Sequence, residues 1–190
     1  MKLTKKDAKS IFVLIAVAVV LSAILTILNF VLYVTPEERT MRAIETIYGK
    51  EMQYKEYTVK NKENDYGKIL LAYEITRDYG HDVIFKAEGK EGYKGGSITC
   101  WIMVKFDGQT PSIEKIIVES YDKQTLMSKI TDAFWGKMCV EVGDQYFSPT
   151  PNGTATLNPV SGATKSANAG CNAVNCVIEY LNSTANGGNN

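Results

Sequence analysis

The apolar positions of this chain are massed at one end before they become periodic. Residues 11–34 read IFVLIAVAVVLSAILTILNFVLYV, 24 positions without a charge, interrupted by the polar Ser22, Thr26 and Asn29. As a helix rising ~1.5 Å per residue the run is ~36 Å long, enough to cross a hydrocarbon layer of ~30 Å with some tilt. A cleaved signal peptide has a shorter apolar core and a small-residue cleavage site. Here the exit reads Leu32-Tyr33-Val34-Thr35-Pro36-Glu37, with no such site and no cysteine suited to lipidation. A transmembrane helix is therefore expected over 11–34.

The pattern then turns helical and amphipathic. Thr35 can cap, Pro36 suits a first helical position, and Glu38 completes a capping box. Met41, Ile44, Ile47 and Tyr48 form the apolar stripe of a helix expected to end at Gly49 and to act as a stalk over 35–50. Strand-like segments follow. Residues 52–59 alternate loosely, and 69–76 and 83–87 flank Asp78-Tyr79-Gly80-His81, which reads as a hairpin turn. A glycine-rich loop, Gly92-Tyr93-Lys94-Gly95-Gly96-Ser97, precedes the strongest strand, 98–106 (ITCWIMVKF). Asp107-Gly108 opens a turn, and 113–119 returns as a second strong strand.

Residues 122–135 carry Leu126, Ile130 and Ala133/Phe134 at helical spacing before Gly136, which predicts a helix. Residues 137–142 read as a short strand, and 143–160, with Pro149, Pro151 and Pro159, as turns. Ala167, Cys171, Val174, Ile178 and Leu181 predict a last helix over 165–181, followed by a disordered polar tail (182–190). Helices and strands mix without strict alternation. The expected class is α+β, with mainly antiparallel strands in a domain spanning 51–182 and a polar tail over 183–190.

Charge adds orientation and excludes one class of partner. Lys2, Lys5, Lys6 and Lys9 precede the apolar run against Asp7 alone, so residues 1–10 are expected in the cytoplasm and the main domain on the outer side of the cell membrane. With those five set aside, 17 basic and 20 acidic side chains remain, a mildly acidic balance. The whole chain is formally neutral, which argues against nucleic acid as a partner. The four cysteines are too sparse for a disulfide-built fold. Cys171 and Cys176 are five apart on one predicted helix and cannot bridge each other. Buried thiols, or one disulfide with Cys100–Cys139 as a possible pair, remain open. No metal-ligand spacing is present. His81, in a turn, reads as solvated. Asn29 is either a contact to partner helices or a tolerated polar residue.

The stretch with most chemistry is Asn158-Pro159-Val160-Ser161-Gly162-Ala163-Thr164-Lys165-Ser166. It is a small-residue turn feeding a helix start, where free N–H groups and the helix dipole favour an anion. Gly162 and Ala163 leave room at the backbone, Thr164 offers a hydroxyl, and Lys165 a cation. The alternative is plain capping of the helix by Thr164 or Ser166.

Ser161-Gly162-Ala163-Thr164, followed by x-Ser, resembles the flavinylation motif of the FMN-binding domain family. That family includes the flavin-bearing, single-span component of the Rnf ion-translocating ferredoxin:NAD oxidoreductase complex and its counterpart in the sodium-pumping NADH:quinone oxidoreductase. Gly92-Tyr93-Lys94-Gly95-Gly96 is similar to the family's Gly-Tyr-x-Gly loop. The order of apolar span, exterior domain and late motif resembles that Rnf component over roughly residues 1–182. The resemblance implies covalent FMN, joined through its phosphate to Thr164 by a flavin transferase. Ser161, Gly162, Ala163, Lys165 and Ser166 would lie around it, with Tyr93, Gly95 and Leu126 near the flavin. Trp101, Trp135 and Tyr121 are further aromatic candidates for flanking the ring.

Two departures stand out. Asn158 replaces a frequent Asp. The family's Glu-Thr-Pro-Gly-Leu-Gly loop is met here by residues 119–126 (ESYDKQTL), where Glu119, Thr125 and Leu126 are possible shifted counterparts.

The function implied is a membrane-anchored electron-transfer flavoprotein, with redox chemistry supplied by FMN and no acid–base set of its own. It would be one component of an Rnf-type complex that passes electrons between ferredoxin and NAD, and any enzymatic activity would belong to the assembly. A related exterior redox chain, or a cofactor-free membrane-tethered assembly module, is the alternative. Asn152-Gly153-Thr154 and Asn182-Ser183-Thr184 match the glycosylation acceptor pattern and carry no argument here.

Overall fold

The computed structural model describes residues 5–50, 52–77, 80–151 and 154–187. The chain forms two compact units, residues 1–42 and 43–190. In the first, helix α1 (Lys5–Leu32) contains Lys9–Leu32, a stretch long and apolar enough to cross a membrane. From residue 9 its side chains are exposed throughout, including Phe12, Leu14, Phe30 and Leu32. A surface helix of a globular domain hides an apolar stripe, and this helix hides none.

The helix breaks at residues 33–35, and α2 (Pro36–Tyr48) begins where expected. Thr35 Oγ1 accepts the Glu38 N–H at 3.1 Å, one half of the capping box. The Glu38 carboxylate turns instead to Arg42, one turn on, at 2.6 Å.

In the second unit the end of α2, a five-stranded sheet and a long helix make three layers. The strands are β1 (Tyr54–Glu56), β2 (Gly67–Thr76), β3 (His81–Gly89), β4 (Ile98–Lys105) and β5 (Ser112–Tyr121), each antiparallel to the next. Residues 78 and 79 of the expected β2–β3 turn lie outside the described residues. Strand β4 is near-continuously apolar because both its faces are covered. Ile98, Cys100, Ile102 and Val104 face one core, while Trp101 and Met103 face the other.

The first core is completed by α4 (Thr164–Gly187), which buries Ala167, Cys171, Val174, Ile178 and Leu181. The second is closed by Ile44 and Ile47 of α2 against Ile75, Ile84 and Trp101. The end of the segment expected as a stalk thus covers the sheet. A bulge between Ile69 and Leu71 places Ile69 and Ala72 on the α4 side and Leu71, Tyr73 and Ile75 on the other.

Three expectations are corrected. Residues 122–135 are not one helix. Lys123 is left-handed at φ 58°, Ile130 and Thr131 are extended, and only a 3-10 turn (Met127–Lys129) and a short α3 (Asp132–Gly136) are helical. The apolar spacing was real, since Ile130, Phe134 and Trp135 are buried, but turns deliver them to the core.

Residues 137–139 form successive i→i−3 turns, with Met138 N–H donating to Trp135 O at 3.0 Å, and 140–142 meet the start of β5 only through a bridge from Glu141 to Ser112, where Ile113 N–H donates to Val140 O at 2.8 Å and Val142 N–H to Pro111 O at 2.7 Å. The expected tail is helical as far as Gly187. There Asn182 Nδ2 donates to Gly143 O at 3.1 Å, and the Ser183 and Thr184 hydroxyls each donate to Tyr180 O at 2.8 Å. Two short parallel strands, β6 (Phe147–Ser148) and β7 (Ala155–Thr156), lie within the turn-rich segment.

Candidate functional site

Three segments far apart in sequence meet at the start of α4. Before β4 the chain makes a 3-10 turn, Tyr93–Gly95, closed by Gly92 N–H to Gly96 O at 2.9 Å. Gly96 is required there: a Cβ would lie 2.2 Å from Asp122 O, the backbone just past β5. The third segment is the turn of residues 160–163, in which Ala163 N–H donates to Val160 O at 2.8 Å and Gly162 takes φ 76°. Only glycine holds that conformation without strain. A side chain there would also press on Lys129 Nζ, 3.1 Å from the Cβ position.

The Gln124 side chain ties the three together. Its Oε1 accepts the Tyr93 N–H at 2.9 Å and the Ser166 hydroxyl at 2.7 Å. Its Nε2 donates to Asp122 O at 2.6 Å and to Tyr93 O at 3.4 Å. Gln124 is 5% exposed and Ser166 3%, so these bonds form in a dry setting where an unpaired group would be costly.

Above this clamp opens a cavity of about 410 Å³, lined by Tyr93, Thr125, Leu126, Gly162, Ala163, Thr164, Lys165 and Ser166. Drug- and cofactor-sized sites are typically about 300–1,000 Å³. One side is apolar, from Tyr93 and Leu126. The other is the start of α4. Ala167 N–H is bonded back to Ala163 O at 2.8 Å, and the amides that precede it open the helix without an intrahelical acceptor. The two hydroxyls here differ in freedom. Ser166 is buried and committed to Gln124. Thr164 is half-buried, lines the cavity, and gives only a long bond, 3.3 Å, to Val160 O.

Of the residues singled out from sequence, Gly162, Ala163, Thr164, Lys165, Ser166, Tyr93 and Leu126 lie together on the cavity wall. Ser161 sits at the edge, its carbonyl accepting from Lys129 Nζ at 3.2 Å. Gly95, at φ 68°, shapes the turn and faces open space. Trp101 is on the opposite face of the sheet, 2% exposed, with Lys86 Nζ 5.3 Å above its ring, so it is no wall of this cavity. Trp135 packs in the core, edge-on to Phe134. Glu119 pairs with Lys86 at 2.7 Å, whereas Thr125 and Leu126 do reach the cavity.

Gln124 and Lys129 were not expected from sequence, because both fall inside the stretch read as a helix. A glutamine three residues after a strand end, opposite a Gly-x-x-x-Gly loop, is the signal that was there to find.

The four cysteines are free thiols, three of them buried and Cys139 half-buried, so the Cys100–Cys139 pairing is not formed. Burial raises each thiol: Cys171 to about 12 and Cys176 to about 11, with Cys100 and Cys139 also pushed up. His81 stacks flat on Phe106, with ring centroids 4.9 Å apart. Among the described residues no group of three or more His, Cys, Asp or Glu could hold a metal ion. Compared with known proteins, the chain matches no family model and no curated protein.

Proposed function

We propose that this chain is a membrane-anchored electron-transfer flavoprotein carrying FMN as a phosphoester on Thr164. The observation that carries the reading is the Thr164 hydroxyl. It is the less committed of two at the start of a 24-residue helix, on the wall of a cavity with Lys165 and the helix start on one side and apolar groups on the other. The residues present suit the group. The opening amides of α4, Lys129 beside Gly162, and Lys165 are donors for a phosphate. Gly162 leaves the backbone open where a Cβ would crowd Lys129. Tyr93 and Leu126 offer the apolar wall that an isoalloxazine ring needs.

The bond Thr164 would give up on esterification is a long one, so attachment costs the fold little. FMN supplies electron transfer. The chain's own residues bind the phosphate, hold the ring side against Tyr93 and Leu126, and leave the mouth open to solvent. Gln124 acts through Tyr93 and Ser166 and is a positioning residue.

In this reading α1 anchors the protein in the cell membrane. The lysine-rich start puts the N-terminus in the cytoplasm and the flavin domain outside, where a covalent bond prevents loss of a cofactor that could not be replaced. A flavin transferase is needed for maturation. The membrane proteins of an Rnf-type complex, passing electrons between ferredoxin and NAD, are the partners.

The test is flavin fluorescence of the chain on a denaturing gel after co-expression with a flavin transferase. A fluorescent band that is lost in Thr164→Val and kept in Ser166→Ala supports the reading. A dark wild-type band under those conditions contradicts it and leaves a cofactor-free module in its place.

A further inference from the structure

A second cavity, of about 350 Å³, shares no lining residue with the one beside Thr164 and falls in the size range of small-molecule sites. Asn168, Asn172 and Asn175 of α4 stand on its wall, at the i, i+4, i+7 spacing of one helix face. Asparagine is a poor helix former, so three on one face need a reason. Asn175 has a structural one. It accepts the Phe147 N–H at 2.8 Å and donates to Phe147 O at 2.9 Å, which fixes β6. Asn172 is used in part: its Nδ2 donates to Lys90 O at 2.8 Å, but its Oδ1 has no partner among the described residues, although the side chain is 7% exposed. The half-buried Asn168 carboxamide makes no hydrogen bond among the described residues.

Glu91 is held over the same cavity at a cost. Its φ is 67°, in the left-handed region that a non-glycine residue avoids, and its carboxylate has no partner among the described residues. The backbone on both sides is pinned. Lys90 N–H donates to Tyr66 O at 3.1 Å, Lys90 O is held by Asn172, and Gly92 N–H donates to Gly96 O. Strain of this kind collects at functional sites. Tyr66 and Tyr146 complete the wall as a stacked pair, with centroids 5.1 Å and planes 13° apart.

The charges narrow the ligand. Glu91 is the one charged side chain on the lining, and the exposed Lys90 beside it offsets it. Asp65 and Glu179 lie near Tyr66, and Glu179 is taken by the Tyr146 hydroxyl. The lining therefore offers nothing to attract an anion, and one carboxylate beside a lysine does not select a cation. What remains is uncharged hydrogen-bonding capacity next to a flat aromatic surface.

We propose that this cavity binds a neutral sugar ring. A carboxamide offers donor and acceptor together, as a sugar hydroxyl requires, and Asn172 Oδ1 and Glu91 accept from further hydroxyls. The tyrosine pair supplies a face for the C–H side of the ring. The site does not depend on the flavin reading.

The experiment uses the full chain in an amine-oxide detergent, which has no sugar headgroup, and reads affinity by saturation-transfer NMR. The probes are methyl glucoside and N-acetylglucosamine as neutral sugars, spermidine as a cation and citrate as an anion. At least one sugar should bind more tightly than spermidine and citrate. Asn168→Ala and Glu91→Gly should each weaken that binding about fivefold or more, the loss of one hydrogen bond. Neither should lower the unfolding midpoint, because alanine is the better helix former and glycine holds this φ without strain. Absence of binding by both sugars, tighter binding of spermidine or citrate, or sugar binding unchanged in either variant overturns the proposal.

Discussion

A single side chain, Gln124, determines whether the cavity keeps its shape. Its amide meets two partners through oxygen and two through nitrogen, on three segments that share no other common contact of this kind. Gln124→Leu removes all four bonds and leaves the Tyr93 N–H and Ser166 hydroxyl facing an apolar group. The expected cost is about 1–3 kcal/mol of stability, with flavin incorporation falling further than stability alone explains. Denaturant unfolding and gel fluorescence measure the two. Ser166→Ala removes one bond and leaves the Tyr93 N–H satisfied, so about 1 kcal/mol and retained incorporation are expected. Equal effects from both substitutions would contradict the clamp.

At the scale of elements, the sheet and α4 are in backbone contact. At Gly89, the last residue of β3, a Cβ would lie 2.1 Å from Ala169 O and 2.2 Å from Ala173 N. Main chain cannot step aside as a side chain can, so Gly89→Ala should cost at least about 1–3 kcal/mol by overpacking, read as a lowered unfolding midpoint. A neutral Gly89→Ala would mean that α4 is not seated as described.

The elements best read from sequence are those with one dominant signal. The apolar run became α1, the two-sided apolar strand became β4, and the period of Ala167, Cys171, Val174 and Ile178 became α4. The misreadings share a cause. In residues 122–135 the spacing of Leu126, Ile130 and Phe134 mimics a helix. Yet Leu126 faces the cavity and Ile130 the core, and a left-handed Lys123 with a buried Gln124 stops a helix from starting ahead of them. Periodicity reports that residues are wanted inside. It does not report that a side-chain amide, 42 residues from its partner Ser166, has claimed the local backbone. For the same reason the motif at 161–166 was legible, being contiguous, while Gln124 and Lys129 became visible only in the fold.

At the scale of the whole molecule, the thiols make alkaline pH the weak side. Cys100, Cys171 and Cys176 have raised pKa values because burial penalises the thiolate. The unfolded thiols ionise near pH 8.5–9 while the folded ones stay protonated, so the unfolded state releases protons first. Stability is therefore full below about pH 8.5 and falls as pH rises toward the folded values. The unfolding midpoint should decline across pH 9–11. A thiol reagent at pH 8 should reach Cys139 ahead of the other three, with all four reacting after denaturation. Orientation is a second property of the whole chain. A protease added to spheroplasts should digest the domain after residue 42, and digestion only after lysis would reverse the proposed topology.

The central claim is a bond at one oxygen. Chain purified from membranes of cells that contain a flavin transferase can be digested and the peptide carrying residues 161–165 fragmented by mass spectrometry. The peptide is expected to weigh its sequence plus FMN less one water, with fragments placing the added mass on Thr164 and not on Ser161. An unmodified peptide, or the added mass on Ser161, would contradict the account.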